Sequence, residues 1–328
     1  MLDYHVHLFS HDEHAIDERV SVAYLAQLCR IATKRNVAEI AITEHLFRFS
    51  QAKPFFTEIV NNISDKSQRE FMYEYYNFHA TLDLDHYIET LQNAKKVNLP
   101  LIIGLEMDFL PNQMDTLEDF LSSYPFDIVL GSVHFIRGHM FDVLDSPLQM
   151  GIWEKEGTEK VFSDYLEVLQ ALIDAEVCDV LAHIDLVKVA GRKLSERGFS
   201  DFESEIIKML LKKQSTYLIK DILLEESSLS NRLELSGGSE NGHSDMVVEF
   251  SSAGLRKPAE DTYPNKSLLA QLYSFGVGIT FASDAHEPMS IAYRFPNLKS
   301  IAREVGYSHI RRFLDRKSYS VDIDEGAR

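Results

Sequence analysis

Two histidines near the start of the chain are placed to bind one metal ion. In the segment 2–7, His5 and His7 alternate with apolar or aromatic residues, which is the side-chain period of a β-strand. Both imidazoles should therefore point to the same face of the strand, where their nitrogens can converge. Two ligands do not complete a metal site, so further ligands must come from other parts of the chain.

The same format recurs at later points, where a short run of β-branched or aliphatic residues ends in His, Glu or Asp. Parallel strands that end in such residues would bring them together at one mouth of a (β/α) barrel, where these barrels carry their active sites. The residues at the ends of these runs are Glu44, His45, Glu106, His134, His183, Asp284 and His286.

The types of these residues indicate transition metals rather than Ca²⁺ or Mg²⁺. Imidazole together with carboxylate suits Zn, Mn or Fe, whereas Ca²⁺ and Mg²⁺ prefer shells made only of oxygen. The set is too large for one ion, so two or three metals are expected, with Glu106 or Asp284 as a bridge. Ions about 3.5–4 Å apart can hold a hydroxide and clamp a phosphoryl group. The predicted ligands are His5, His7, His45, Glu106, His134, His183, Asp284 and His286.

Strands and helices alternate along the rest of the chain, which predicts an α/β fold with a mainly parallel sheet in one TIM-like barrel domain, 1–328. Apolar residues at helical spacing mark the helices, and Asp85 is the predicted N-cap of one of them. The predicted helices are 21–36, 85–97, 115–123, 161–175, 202–213, 265–275 and 297–305.

Four segments lack a clear period. The aromatic-rich segment 46–84 is interpreted as an active-site loop with short helical pieces, and 137–157 as an irregular connection. The polar, Gly- and Ser-containing segment 219–245 is predicted to be a flexible surface insertion. The tail 310–321 should close the barrel or pack beneath it.

The charge balance limits the partners. The chain has 328 residues and a formal net charge of −18, with 51 acidic against 33 basic residues. Such a surface repels a phosphate backbone, so nucleic acid is not an expected partner. Any anionic substrate must instead be captured locally, by metal ions or by a few placed arginines. The oligomeric state is left open by the sequence.

The sequence predicts a cytoplasmic protein. Its two cysteines, Cys29 and Cys178, read as buried small hydrophobic residues rather than as a disulfide. Met1 is followed directly by the histidine-bearing strand, without the basic and apolar regions of a signal peptide. No apolar run approaches the length of a membrane span, so no membrane contact is expected.

The order of the motifs resembles that of the polymerase-and-histidinol-phosphatase (PHP) family. Within that family the chain looks most like the monofunctional histidinol-phosphate phosphatases of histidine biosynthesis, and the similarity runs from the first strand to about Tyr319. The motifs are Asp3-Tyr-His-Val-His7, Thr43-Glu-His45, Gly104-Leu-Glu106, Gly131-Ser-Val-His134, Ala182-His183, Ala253-Gly-Leu-Arg-Lys-Pro258 and Ser283-Asp-Ala-His286.

The resemblance implies a distorted (β/α)7 barrel with a trinuclear site at the C-terminal ends of the strands. One metal would take His5, His7, Glu106 and Asp284; a second would take Glu106, His134 and His183; a third would take His45 and His286. The third usually has one more histidine from the loop after the first strand. Either His11 or His14 could serve, and position favours His11.

The resemblance also implies hydrolysis of L-histidinol phosphate to L-histidinol and phosphate by a metal-activated water. Glu106, Asp284 and Arg256 would be the catalytic residues, and Arg256 with Arg192 or Lys193 would bind the phosphate. Carboxylates and aromatic residues of 46–84 are candidates for holding the leaving group.

Alternative interpretations remain. The chain could be a PHP phosphoesterase for another small ester, such as a nucleotide or sugar phosphate. A third possibility is an amidohydrolase-type deacylase, whose barrel also begins with His-x-His. Those enzymes often bridge their metals with a carboxylated lysine, whereas Glu106 takes that position here. A fourth is a non-catalytic metal-binding module, but such a module would tend to lose ligands.

Some single residues have two possible roles. Glu44 could hold a metal ligand in place or be an ordinary loop residue, with equal weight. His139 could be a ligand or a structural residue. Four histidines are interpreted as structural or surface residues: His79, His86, His243 and His309.

Overall fold

The computed structural model describes residues 1–229 and 247–324, with only the backbone considered for 214–229 and Asp17. Its strands, in chain order, are β1 (Leu2–Val6), β2 (Glu39–Ile42), β3 (Leu101–Asp108), β4 (Ile128–Ser132), β5 (Phe135–Ile136), β6 (His139–Met140), β7 (Val180–Leu181), β8 (Val247–Ser251), β9 (Gly278–Ala282), β10 (His309–Leu314) and β11 (Lys317–Asp322).

Seven of these strands form one parallel sheet in the order β1-β2-β3-β4-β7-β8-β9. The sheet curls so that its two edges meet. Just beyond β9, the backbone N–H of His7 donates to the carbonyl of Ala285 at 2.8 Å, and that of Ala285 donates to His5 at 3.2 Å. The strands are buried along almost their whole length, as expected for a barrel covered by helices. The predicted α/β barrel of seven parallel strands is confirmed.

The helices surround this barrel, each burying one apolar face. Helix α1 shows why they form: Ser21 caps its first turn by accepting from Tyr24 N–H, and Leu25 and Leu28 face the core. The helices are α1 (Val22–Lys34), α2 (Lys53–Asn61), α3 (Lys66–His79), α4 (Leu84–Lys96), α5 (Met114–Ser122), α6 (Pro147–Glu156), α7 (Thr158–Ala175), α8 (Glu196–Leu229), α9 (Lys266–Ser274) and α10 (Phe295–Val305).

Two segments are more regular than the sequence predicted. The segment 46–84, predicted to hold only short helical pieces, contains the full helices α2 and α3. Phe55, Phe56 and Met72 bury against the core, but Tyr73 and Phe78 are exposed, so apolar residues alone show no helical period. In 137–157, the hairpin β5–β6 leads into α6. Helix α4 is capped by Asp83, which accepts from Asp85 N–H, so the predicted cap at Asp85 is wrong by two positions.

The boundaries around the predicted insertion also differ. Helix α8 runs from Glu196 to Leu229, well beyond the predicted end at residue 213, so residues 219–229 are helical. The predicted surface insertion therefore begins within a helix, because the apolar residues Ile219, Ile222, Leu223 and Leu224 return at helical spacing. That the segment is an insertion stays a prediction. The remainder of the predicted insertion, 230–245, lies outside the described residues.

The C-terminal hairpin β10–β11 packs beneath the barrel. This is one of the two arrangements predicted for the tail 310–321, the other being that it closes the barrel. Three contacts tie it to the starts of barrel strands. Arg312 pairs with Glu39 at 2.6 Å, Arg316 pairs with Asp179 at 2.8 Å, and the backbone N–H of Arg316 donates to Asp127. The opposite mouth, where the strands end, is left for the site.

Neither cysteine is in a disulfide: Cys29 is buried and Cys178 is partly buried. Within residues 1–229 and 247–324, no helix combines the length and the apolar character needed to cross a bilayer.

Candidate metal centre and phosphate site

The barrel brings the predicted ligands together at the C-terminal ends of its strands. Two histidines and two carboxylates form the centre of the group. Nε2 of His5 lies 3.2 Å from Oε2 of Glu106 and 3.7 Å from Oδ1 of Asp284. Nε2 of His7 lies 3.4 Å from each of those same oxygens. Ligand atoms from β1, β3 and the end of β9 thus surround one small space.

A second group lies on the side of β2. Nδ1 of His45 lies 2.8 Å from Oε2 of Glu106, and Nε2 of His45 lies 3.3 Å from Nε2 of His286. The His11 ring is centred 3.8 Å from that of His286, whereas His14 packs against Phe78 at 5.2 Å. The geometry therefore favours His11 over His14 as the histidine that joins this group.

The third group lies on the side of β4 and β7. Nε2 of His183 lies 3.1 Å from Oε1 of Glu106, and Nε2 of His134 lies 3.6 Å from the same oxygen. The hydroxyl of Ser132 also donates to Oε1 of Glu106. Glu106 consequently has one oxygen towards this group and the other towards the first two, which is the arrangement that a bridging carboxylate requires.

Three further carboxylates orient the histidines from outside. Nδ1 of His5 lies 2.6 Å from Oε2 of Glu249, and Nδ1 of His134 lies 2.7 Å from Oδ1 of Asp108. Nδ1 of His7 lies 3.4 Å from Glu44. A carboxylate behind one ring nitrogen fixes the ring and leaves the other nitrogen to bind a metal.

Sequence reasoning left Glu44 undecided and missed Glu249 and Asp108. The signal for Glu249 was a carboxylate in the middle of the apolar strand β8, which needs a buried partner. Asp108 ends β3 two residues after Glu106, on the same face of that strand.

The residues fit a group of metal ions. Several buried atoms that can bind a metal accept or donate no hydrogen bond within the described part of the chain, including Nε2 of His5, Nε2 of His7, Nδ1 of His45 and Oε2 of Glu106. Unpaired buried polar atoms are costly, so a ligand that uses them is expected. The residue sets that can each hold an ion are His5/His7/Glu106, His7/His45/His286 and His45/Glu106/His134.

The electrostatics also call for a cation. Burial disfavours the charged imidazole, yet the carboxylates of Glu106 and Asp108 raise the pKa of His134 to about 10. Burial also disfavours the charged carboxylate of Glu106 and by itself would raise its pKa. The neighbouring histidines, of which His5 has the largest effect, instead hold the pKa of Glu106 well below the usual range. The buried carboxylates therefore need positive charge, which protons can supply and divalent ions can replace.

Two of the candidate ligands have backbones that L-residues seldom adopt. His183 has φ 26° and Asp284 has φ 49°. Such conformations cost about 1–3 kcal/mol each and cluster at functional sites. Both residues follow the last residue of a barrel strand closely, so the backbone turn aims their side chains at the centre of the mouth.

Arg256 lies on the wall of the same mouth, at the end of a short turn after β8. The turn has no room for a side chain at Gly254, where a Cβ would lie 2.2 Å from the Asp261 carbonyl. Nη2 of Arg256 donates to the carbonyls of Ser283 and Asp284 at 2.8 and 2.9 Å. Nη1 is buried and donates to no described residue, so it is available to an anion.

The mouth opens into a cavity of about 540 Å³. Lys257, which sequence reasoning did not single out, lines it beside Arg256. The predicted phosphate contacts Arg192 and Lys193 are not among its lining residues in the described part of the chain. Arg192 is on the surface, 2.5 Å from Glu154, and Lys193 is exposed, because the loop after β7 turns outward.

The remaining histidines lie apart from the candidate ligands. Nδ1 of His79 lies 3.1 Å from the buried guanidinium of Arg48. His139, whose role the sequence left open, lines a separate cavity. His86 and His309 are exposed, and His243 lies outside the described residues.

The sequence also matches a known protein family and two curated proteins. The model of the PHP domain matches residues 3–225. A probable histidinol-phosphatase of Deinococcus radiodurans is 24% identical over 219 residues, which cover 67% of this chain and 70% of that protein. A probable histidinol-phosphatase of Clostridium acetobutylicum is 24% identical over 228 residues, covering 67% and 73%.

Solved structures share the fold. A putative histidinol phosphatase from Listeria monocytogenes superposes with a TM-score of 0.63 at 21% identity, over 90% of this chain and 99% of that one. The histidinol phosphate phosphatase of Lactococcus lactis, solved with zinc, L-histidinol and phosphate, gives a TM-score of 0.60 at 19% identity, over 97% and 98% of the two chains.

Proposed function

The chain belongs to the PHP domain family, and on that premise we propose that it is a histidinol-phosphatase, a phosphoric monoester hydrolase that converts L-histidinol phosphate to L-histidinol and phosphate. One observation carries the proposal. The buried cluster of histidines and carboxylates opens into the same cavity that Arg256 lines. The names of the relatives and the ligands of the Lactococcus lactis enzyme support the substrate.

The proposed cofactors are two to three divalent transition-metal ions, Zn, Mn or Fe. When bound, such ions act as Lewis acids and lower the pKa of a bound water to about 7. Glu106 would bridge, because its two oxygens face different histidines. The zinc of the Lactococcus lactis structure supports this class of metal. The residues that would hold the ions are His5, His7, His11, His45, Glu106, His134, His183, Asp284 and His286.

The protein's own cations would bind the phosphate. Arg256 has one guanidinium nitrogen anchored on two carbonyls, and this anchoring fixes the direction of the other. That second nitrogen can donate to a phosphoryl oxygen and neutralise charge that develops as the ester bond breaks. Lys257 supplies a second positive charge to the same cavity.

The substrate is proposed to be a free small molecule, since the cavity is of the size that holds one and the chain is strongly acidic. The cytoplasmic location predicted from the sequence stays a prediction.

Phosphate release from a panel of monoesters tests the proposal. The purified protein, loaded in turn with Zn²⁺, Mn²⁺ or Fe²⁺, would be given L-histidinol phosphate, a nucleoside monophosphate and a sugar phosphate. We expect the highest kcat/KM for L-histidinol phosphate. A higher kcat/KM for one of the other esters would reject the proposed substrate, and no phosphate release from any would reject the activity.

A further inference from the structure

The cavity is lined by two chemically different groups of residues. Arg256 and Lys257 supply positive charge beside the candidate metal ligands. Other lining residues are acidic, aromatic or apolar. They come from segments that are far apart in the sequence: the turn after β2, helix α3, and the hairpin β5–β6 with the residues that follow it. They include Phe47, Tyr75, Phe135, Met140 and Asp142.

Asp142 is one of the acidic residues of this cavity. It lines the wide cavity and also a narrow space whose other lining residues include Glu106, His134, His183 and Lys257. Its Oδ1 is buried and accepts no hydrogen bond from any described residue. No lysine, arginine or histidine within residues 1–229 and 247–324 forms an ion pair with it. A buried carboxylate oxygen in that state is costly unless a ligand supplies a donor.

Aromatic rings line the same cavity as this carboxylate. The Phe47 ring stacks on His45 with the ring centres 4.7 Å apart, and the Tyr75 ring is centred 5.6 Å from that of Phe47. Aromatic faces attract cations and planar rings. The cavity thus offers a carboxylate acceptor and an aromatic surface in addition to the cations that are proposed to bind phosphate.

We propose that Asp142 binds a cationic nitrogen of the leaving group and thereby selects phosphate monoesters of cationic amino alcohols over those of sugars or nucleosides. The assignment rests on the proposed function, which supplies the phosphate bound by Arg256. L-Histidinol carries an ammonium group and an imidazole, and either can donate to the carboxylate while the ring packs against Phe47 and Tyr75.

The test compares two substrates in one variant. Asp142→Asn keeps the size of the side chain and removes its charge. The preference ratio, kcat/KM for L-histidinol phosphate divided by kcat/KM for phenyl phosphate, should fall on the order of 10- to 100-fold, because phenyl phosphate has no cation to lose. Equal losses for both substrates would overturn the assignment, since they would mean damage to the metal centre or the fold.

Asp145→Asn is the matched control. Asp145 lines the same cavity but is exposed, so its substitution removes one negative charge without removing a buried acceptor. Its preference ratio should change by less than about threefold. An equal fall in both variants would show that general charge, and not a contact with Asp142, sets the preference.

Metal content and wild-type activity separate this inference from the proposed function. Asp142→Asn should keep the wild-type metal content, and a loss of metal would make Asp142 part of the metal centre instead. A wild-type protein that prefers phenyl phosphate would contradict the proposed function itself. A wild-type preference for L-histidinol phosphate that Asp142→Asn leaves intact would contradict only the role of Asp142.

Discussion

Nδ1 of His5 lies 2.6 Å from Oε2 of Glu249, a contact that joins the first strand of the barrel to strand β8, with both side chains fully buried. The carboxylate holds the ring so that Nε2 faces Glu106 and Asp284. A strand at the far end of the chain therefore determines how the N-terminal histidine presents itself to a metal.

Glu249→Gln should weaken metal binding, because an amide orients the ring less strongly and does not raise the basicity of the imidazole. Such outer partners typically contribute 10- to 100-fold in metal affinity. Competition with a chelator of known affinity would measure the change. Glu167→Gln, on the exposed face of helix α7, is the control and should bind metal as the wild type does. Equal affinities in all three proteins would remove Glu249 from the support of the site.

Arg256→Ala should lower kcat/KM for L-histidinol phosphate on the order of 10²-fold or more, since it removes the anchored donor that is proposed to bind the phosphate. Steady-state kinetics would measure the loss, and metal content should stay at the wild-type level. Arg256→Lys should restore only part of the rate, because one ammonium cannot bind both carbonyls and an anion as the fork does. Unaltered kinetics in Arg256→Ala would exclude the residue from phosphate binding.

Metal binding near neutral pH should release protons. Carboxylates raise the pKa of His134 to about 10 against the effect of burial, so in the metal-free protein this imidazole is protonated at pH 7. A metal ion binds only the deprotonated ring, and apparent affinity should therefore rise with pH up to about 10. Calorimetry in buffers of different ionisation enthalpy would count the protons. A release of zero at pH 7 would contradict this protonation state.

The strand ends could be predicted from the sequence because a period of two and a parallel sheet together fix where side chains point. That reasoning uses only the pattern of residues along each strand. It predicted correctly that His5, His45, Glu106 and His183 lie at the same mouth of the barrel. The contacts of Glu249 and Asp108 could not be predicted in this way. They depend on which side chain lies opposite across the barrel, and strand pattern does not specify that.

The predicted phosphate-binding residues show the same limit of prediction from local sequence. Arg256 and Lys257 are adjacent in the sequence and both line the cavity, but Arg192 points away because the loop after β7 turns towards Glu154. The extent of helices α2 and α3 was missed because apolar residues do not mark the buried face of α3. Its buried stripe includes the polar residues Gln68 and His79, whereas Tyr73 and Phe78 are exposed. The direction of Arg192 and the extent of helices α2 and α3 therefore depend on tertiary packing, which the local sequence does not specify.

Titration of the metal-free protein with metal tests the central claim most directly. The protein would be stripped with a chelator, and hydrolysis of L-histidinol phosphate would be measured as Zn²⁺ or Mn²⁺ is added. We expect no activity without metal, full activity only when two to three ions are bound per chain, and binding of fewer ions to Glu106→Ala, whose bridge is missing. Full activity in the stripped protein, or with a single ion bound, would contradict the multinuclear metal centre.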